Sequence, residues 1–434
     1  MLVEFTVRNY RSFRDRFTWS MEPEERLSER DDAVNEANLM PTDHGPLLRV
    51  AAVYGANASG KTNLIRALWE LRGHVLGSAT DSQAGAGFYF RGFRLDPMKA
   101  AEPTELEVVL LHGGRQYRYG ARVAPDRVVS EWLWSSEPGA EQEELGFERD
   151  AQAYRVGPGW PRDEALEART RSDALHLSVL AQFNHAVGSQ VVGWFLRLNI
   201  INGLSSMSLD DTVRMLDDPR AAAAIRALVR NADFGLADIR AEREELPRRP
   251  PELSPDLYAI YQRYQPTRLV FERNAVGPDG ESRSYTFEAG DESAGTLKVA
   301  QLAGPVLEAL MNGSVLVVDE LDARLHTLLA MEIVKLFQDP ASNPHGAQLL
   351  FASHDTNLLT RSLLRRDQLW FAEKDRKTGA SDLYSLAEVR DDGGKRVRND
   401  RSYERDYLQG RYGAVPFFGN LRALVGQALT EDES

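Results

Sequence analysis

Eight residues, Gly55-Ala56-Asn57-Ala58-Ser59-Gly60-Lys61-Thr62, spell GxxxxGKT. The apolar run Leu47 to Tyr54 precedes them, and a helical pattern opening Asn63-Leu64-Ile65-Arg66-Ala67-Leu68 follows. A strand, a glycine-rich turn and a helix make a phosphate cradle. Successive backbone N–H groups point inward, and the helix adds the positive end of its dipole. Gly55, Asn57, Ser59, Gly60 and Asn63 belong to the cradle by position. Lys61 can reach β- and γ-phosphate oxygens, and the Thr62 hydroxyl suits Mg²⁺. The expected cofactors are ATP and Mg²⁺.

A second group of chemically able residues closes the run Ser314-Val315-Leu316-Val317-Val318-Asp319-Glu320. An apolar strand ending beside the phosphate loop is where a metal ion needs an acidic partner, and Asp319 fits that role. Glu320 stands one residue further out, where a carboxylate can take a proton from water attacking a γ-phosphate. In isolation the pair also reads as a strand ending in surface acids; the glycine loop is what favours chemistry. Leu350-Phe351-Ala352-Ser353-His354-Asp355 is a further strand ending in histidine, about 34 residues after Glu320. An imidazole there can bond a γ-phosphate or hold the attacking water, although a lone histidine is often a cap. Ser293 and Gly295, in Glu292-Ser293-Ala294-Gly295-Thr296-Leu297-Lys298, precede a helix running to about Met311. Such a helix tip is an anion site, but taken alone it reads as an ordinary N-cap. It has no evident room beside its own phosphate loop, so it could serve the nucleotide of a second copy.

The elements that must position these groups follow from periodicity. Leu2–Arg8, Arg49–Tyr54, Glu105–Leu111, Gln116–Val123 and Val128–Trp134 read as strands, with Gly113-Gly114 and Pro125-Asp126 as hairpin turns and Leu145–Tyr154 as one more hairpin. From about Arg162 to Gln265 the pattern turns helical, with Asp211–Val229 forming one long helix or two around Pro219 and Pro247–Pro251 a loop. Arg268–Arg273 and Arg283–Glu288 form a hairpin. Short apolar strands then alternate with a helix, roughly Leu325 to Gln338, which argues for an α/β core. The expected division is residues 1–161 as an N-lobe carrying the phosphate loop, 162–265 as a helical insertion serving as partner surface or lid, and 266–434 as a C-lobe carrying Ser293, Asp319 and His354. Trp160, Trp194 and Phe195 could anchor a partner but fit a core better.

The chain has 434 residues, no cysteine and a formal net charge of −13. Absent cysteine excludes disulfides, zinc–thiolate sites and cysteine nucleophiles. No apolar run of about 18 residues suggests a membrane span, and the start has no signal-peptide pattern, so a cytoplasmic location is expected. Strong acidity disfavours general nucleic-acid binding. Lys395–Arg401 and Arg361–Arg366 are the candidate basic faces, and each reads equally as a solvated turn. The tail after Gln427 is acidic and polar.

The order of phosphate loop, long insertion, Ser-x-Gly-Thr, apolar-Asp-Glu and strand-Ser-His resembles the ABC-type ATPase heads of chromosome-maintenance and double-strand-break-repair ATPases. More closely it resembles the bacterial AAA15/AAA21 group of defence ATPases, including AbiL- and RloA-type abortive-infection proteins and the ATPase half of OLD-family nucleases. Asn9-Tyr10-Arg11-Ser12-Phe13, Asp319 to His326, Ser353 to Leu358 and Tyr407 to Pro416 carry the likeness. It implies an α/β ABC-type P-loop ATPase head, a β-rich N-lobe and a parallel-sheet core with a helical insertion. It also implies a head-to-head dimer, or a higher even oligomer, with two ATP molecules sandwiched. One subunit would supply Gly55–Thr62, Asp319, Glu320 and His354, and the other Ser293 and Gly295. Asp322 would match the loop crossing the dimer seam, and Arg11 and Ser12 the N-terminal segment near the nucleotide.

Departures from the pattern narrow the reading. The signature is ESAGT rather than the LSGGQ of transporters, which disfavours transport. No Q-loop glutamine stands out, and Phe93-Arg94-Leu95-Asp96 occupies that region. The insertion is too short for a long coiled coil, and neither a Toprim domain nor an HNH motif follows His354. The function expected is therefore an ATPase module of an anti-phage system that controls a separate effector, such as a Toprim-type nuclease. A scaffold using ATP as structural glue, a DNA-repair clamp and, more distantly, a P-loop kinase are the alternatives, with DNA a further candidate partner.

Overall fold

Three short strands, Val50–Tyr54, Val315–Val318 and Gln348–Ala352, are buried along their whole length. Unbroken burial belongs to parallel strands covered on both faces. In the computed structural model they form the middle of a six-stranded sheet ordered Asn199–Ile201, Val315–Val318, Gln348–Ala352, Val50–Tyr54, Leu369–Lys374, Ser381–Ser385. The first five are parallel and the last returns antiparallel. The structure describes residues 1–24, 37–80, 88, 90–201, 208–232, 235–243, 254, 267–390, 394, 397, 401–416, 420 and 425. The loop expected at Pro247–Pro251, most of the basic stretch Lys395–Arg401 and the tail after Gln427 lie outside these residues.

Side chains alternate between two cores. Ala51, Val53, Val317, Leu350 and Ala352 join the helix Lys61–Gly77 and the N-terminal sheet in one. Val50, Ala52, Tyr54, Val318 and Phe351 join the helix Thr327–Gln338 in the other. The N-terminal sheet is antiparallel and seven-stranded, ordered Ala153–Val156, Glu144–Asp150, Arg127–Ser136, Arg115–Ala124, Thr104–His112, Leu2–Arg8, Phe17–Ser20. Its turns fall at Gly113-Gly114, both at positive φ, and at Pro125-Asp126. Two contacts fasten this sheet to the core sheet. At one end the buried Gln348 amide accepts from the Leu2 N–H at 2.6 Å and donates to the Leu2 and Leu48 carbonyls. At the other, the Ser381 N–H donates to the Ser12 carbonyl at 2.7 Å.

The stretch 162–265 is not helical throughout, contrary to expectation. Helices do occupy Glu164–Arg169, His176–Gln182, Ala186–Arg197, Asp210–Met215 and Pro219–Asn231. Asp218 caps the last of these, and Pro219 stands at its start, where a missing N–H costs nothing. But Asn199–Ile201 is the edge strand beside Val315–Val318, and Asp238–Arg243 pairs with Thr267–Val276 in a three-stranded sheet completed by Ser282–Glu288. Asn199-Ile200-Ile201 continues an apolar run from the preceding helix. Its backbone is drawn into the sheet by pairing that no local pattern reveals. Trp194 and Phe195 are core, and Trp160 packs on Phe147 and His185.

The helix Ala294–Asn312 carries Pro305 in its interior. The Thr212 hydroxyl enters its hydrogen-bond ladder, donating to the Ala300 carbonyl at 2.5 Å and accepting from the Gly304 N–H at 3.0 Å. A side chain inserted in this way weakens the ladder locally and is a usual site for a kink. Gly304 is required there, since a Cβ would lie 2.5 Å from the Thr212 Cα.

Candidate functional site

Parallel strands present their carboxyl ends on one edge, which is where α/β sheets bind ligands. Here that edge carries the loop after Tyr54, the carboxylates after Val318 and the histidine after Ala352, on three adjacent strands.

The loop's shape is set by its backbone. Gly55 has φ 151°, Ala58 63° and Gly60 123°. A Cβ on Gly55 would come 2.2 Å from the Ala372 carbonyl oxygen, and one on Gly60 would come 2.6 Å from the Ser381 Oγ. Both positions therefore demand glycine. The helix Lys61–Gly77 starts with no side-chain cap and no acid in its first turn. Its leading N–H groups are thus left for an anion. Lys61 is buried, and its ammonium donates to the Gly55 and Ala56 carbonyls at 2.8 and 3.2 Å. Burial lowers its pKa to about 8, against the opposing pull of Asp319, Glu320 and Asp322.

Asp319 is buried, held by its N–H on the Ile201 carbonyl at 2.9 Å. Burial raises its carboxyl pKa, while a hydrogen bond from Thr62 works the other way. One carboxylate oxygen, Oδ1, has no partner. An orphaned buried oxygen is costly unless something else fills its valence. The Thr62 hydroxyl beside it completes a hard oxygen pair of the kind Mg²⁺ takes, the rest being phosphate and water. Among the described residues no cluster of three or more acidic or histidine side chains could hold a metal alone.

Glu320 is half-buried and sits at φ 55°, in the left-handed region. Asp322 accepts from the His354 N–H at 3.2 and 3.3 Å, fastening the two strand ends together. His354 stands at the surface with its ring partly buried, and that burial, with the Lys61 charge second, lowers its pKa. Lys61, Thr62, Asp319, Glu320, Asp322 and His354 thus converge. Asn57 is exposed on the rim, where a cavity of about 370 Å³ lies between Ala56, Asn57 and Ser59 on one side and Lys374, Arg376 and Val415 on the other. Ser12 accepts from the Asn63 side chain at 2.9 Å. Arg11 donates to the Tyr10 hydroxyl and to Glu70 on the phosphate-loop helix. Ser293 caps its own helix through the Thr296 N–H at 3.1 Å. With Ala294 it is exposed, and Gly295 is half-buried.

Two residues had no sequence signal. Ser381 donates its hydroxyl to the Ser59 carbonyl at 2.5 Å, bracing the loop from 322 positions away. Lys298, which looks like a solvated helix residue, is buried next to Glu320. In the Q-loop region the Phe93 N–H donates to the Asn9 side chain, and no glutamine is present. The basic candidate at Arg361–Arg366 is partly neutralised, because Arg365 pairs with buried Asp367 and Arg366 donates to the Val397 carbonyl.

Residues 50–360 match the family model described as "AAA domain, putative AbiEii toxin, Type IV TA system". The chain belongs to this AAA domain family. Its α/β fold sets a glycine loop between a buried parallel strand and a helix, as a P-loop AAA domain requires. None of the curated proteins matches this AAA domain in sequence. Among solved structures it is similar to the SMC head domain from Thermotoga maritima, at 13% identity and TM-score 0.40 over 88% of this chain and 98% of that one. It is also similar to an Smc head domain from Pyrococcus furiosus, with an extended coiled coil and bound to the C-terminal domain of ScpA. That match has 11% identity and TM-score 0.45 over 88% of this chain and 96% of the other. No helix of the AAA domain's described residues is long and apolar enough to cross a membrane.

Proposed function

We propose that the protein binds and hydrolyses ATP as a head-to-head dimer and uses that cycle to control a separate effector in anti-phage defence. The observation that carries the nucleotide part is the orphaned, buried Asp319 Oδ1 beside Thr62, at the mouth of an uncapped phosphate-binding helix. Thr62 and Asp319 would hold Mg²⁺, which when bound offsets the negative charge of the β- and γ-phosphate oxygens. Lys61 exchanges its two loop carbonyls for phosphate oxygens. Glu320 accepts the proton of the attacking water, and His354 orients that water or the γ-phosphate. The exposed Ser293 tip, with Gly295, supports binding to the triphosphate of a second copy, with Asp322 at the seam. The family description, a putative AbiEii toxin of a type IV TA system, supports the defence role; the effector in another chain is part of the proposal. A Toprim-type nuclease fits that place.

The test uses three variants of the full chain. Lys61→Ala should lose nucleotide binding. Glu320→Gln should bind ATP normally, turn over about 10²–10⁴-fold more slowly and accumulate as an ATP-bound dimer by light scattering. Ser293→Arg should bind ATP but stay monomeric. Turnover at the wild-type rate in Glu320→Gln would remove the assigned base, and an ATP dimer in Ser293→Arg would refute the sandwich.

A further inference from the structure

We propose that Lys298 is a positioning residue tying the Ser293 helix tip to the backbone of Glu320, so that docking of the tip on a second copy is felt at the carboxylate. This rests on the dimeric reading above. Lys298 is 4% exposed, although lysine ordinarily extends its ammonium into water. Its Nζ lies 3.5 Å from the Glu320 carbonyl oxygen. That is long for a hydrogen bond, but inside the range where a poorly solvated ammonium and a carbonyl dipole attract. The same ammonium feels the carboxylates of Glu320, Asp322 and Asp319, and the opposing charge of Arg324.

Two backbone features make this contact suited to transmission. Glu320 holds φ 55°, a left-handed conformation that a residue bearing a Cβ keeps only where its surroundings hold it. Its peptide therefore depends on neighbours for its orientation, and the Lys298 ammonium is a neighbour on its carbonyl. On the helix side, Thr212 interrupts the ladder between Ala300 and Gly304, and Pro305 removes the next donor. The opening turns, which carry Ser293 and Lys298, are thereby joined to the rest by a weakened ladder. At about 1.5 Å of rise per residue, Lys298 sits roughly 7 Å behind the tip. A push on Ser293 reaches it through one short rigid segment.

Lys298→Met removes the ammonium at nearly constant volume. With the full chain and ATP–Mg²⁺ the expected result is a kcat lowered about tenfold, with KM, fluorescent-nucleotide affinity and ATP-dependent dimerisation within twofold of wild type. Lys298→Arg should recover the rate to within threefold. Amide hydrogen exchange supplies a readout independent of turnover. In wild type, ATP should protect residues 293–299 and 319–325 together, and in Lys298→Met only the first stretch. A wild-type kcat in Lys298→Met, or a nucleotide affinity that falls as far as kcat, overturns the inference. So does wild-type protection confined to residues 293–299. Should Lys298→Met not fold, Lys298→Gln against Lys298→Arg gives the same comparison, and equal protection of 319–325 in both overturns it. No protection of either stretch in wild type, with no ATP-dependent dimer, instead refutes the dimeric reading.

Discussion

Acidification should destabilise this protein through buried His176 and half-buried His74, and His176 gives the sharper test. It is 3% exposed, packed between the Phe147 and Tyr154 rings, with its Nδ1 2.9 Å from the Thr170 hydroxyl. Burial, then the Arg149 charge, lowers its pKa from 6.5 to about 3. His74, on the phosphate-loop helix against Phe88 and Phe90, falls to about 4, through burial. In both cases the folded chain keeps a neutral ring while the unfolded chain takes up a proton below pH 6.5. Stability is therefore complete above about pH 7 and is lost as pH falls toward the folded pKa. Each pH unit costs about 1.4 kcal/mol per group, so at pH 5 each histidine removes about 2 kcal/mol, or about 4 together. Urea unfolding of wild type and His176→Gln at pH 7.5 and pH 5 isolates the His176 share. The variant should lose about 2 kcal/mol less than wild type over that interval, whatever its stability at pH 7.5. Equal losses in the two proteins would refute the reasoning.

Glu131 is wholly buried, accepting from the Tyr119 hydroxyl and the His176 and Leu177 N–H groups, 3.6 Å from the equally buried Arg149. Glu131→Gln sets an amide NH₂ against donors and leaves the guanidinium without its counter-charge, costing about 3–5 kcal/mol. With an unfolding entropy of roughly 0.9 kcal/mol/K for a chain of 434 residues, calorimetry should find Tm about 3–5 °C lower with nucleotide affinity unchanged; a shift under 1 °C would contradict this. Ser381→Ala leaves the Ser59 carbonyl without its hydroxyl donor, a loss of about 1 kcal/mol on the loop. Fluorescent-nucleotide titration should show affinity about fivefold weaker, restored by Ser381→Thr, and an unchanged Kd would show that the brace does not shape the loop.

The parts of the site legible in the sequence are those whose chemistry and geometry are local. The loop Gly55–Thr62 carries its own backbone requirements, and Asp319 and His354 follow short, wholly buried strands. The Ser293 helix likewise announces its start through a serine that caps it. What could not be read depends on distant pairing. Asn199–Ile201 is too short to show a strand period and becomes one only because Val315–Val318 offers a free edge. Asp238–Arg243, rich in charge, is held as a strand by its neighbour Thr267–Val276. Ser381 and Lys298 gain meaning from partners that touch them only once the sheet has closed. Arg11 pairs with Glu70, a contact invisible in the sequence at a separation of 59 residues.

The rivets at Gln348 and at Ser12–Ser381 have a mechanical consequence. They pin the outer sheet to the inner one near opposite ends of the first strand, so the pair resists both shearing and twisting. A load applied far out on the antiparallel surface then has no slack to take up. Ser381, which also holds the Ser59 carbonyl, is then the point where any strain in the outer sheet would meet the glycine loop.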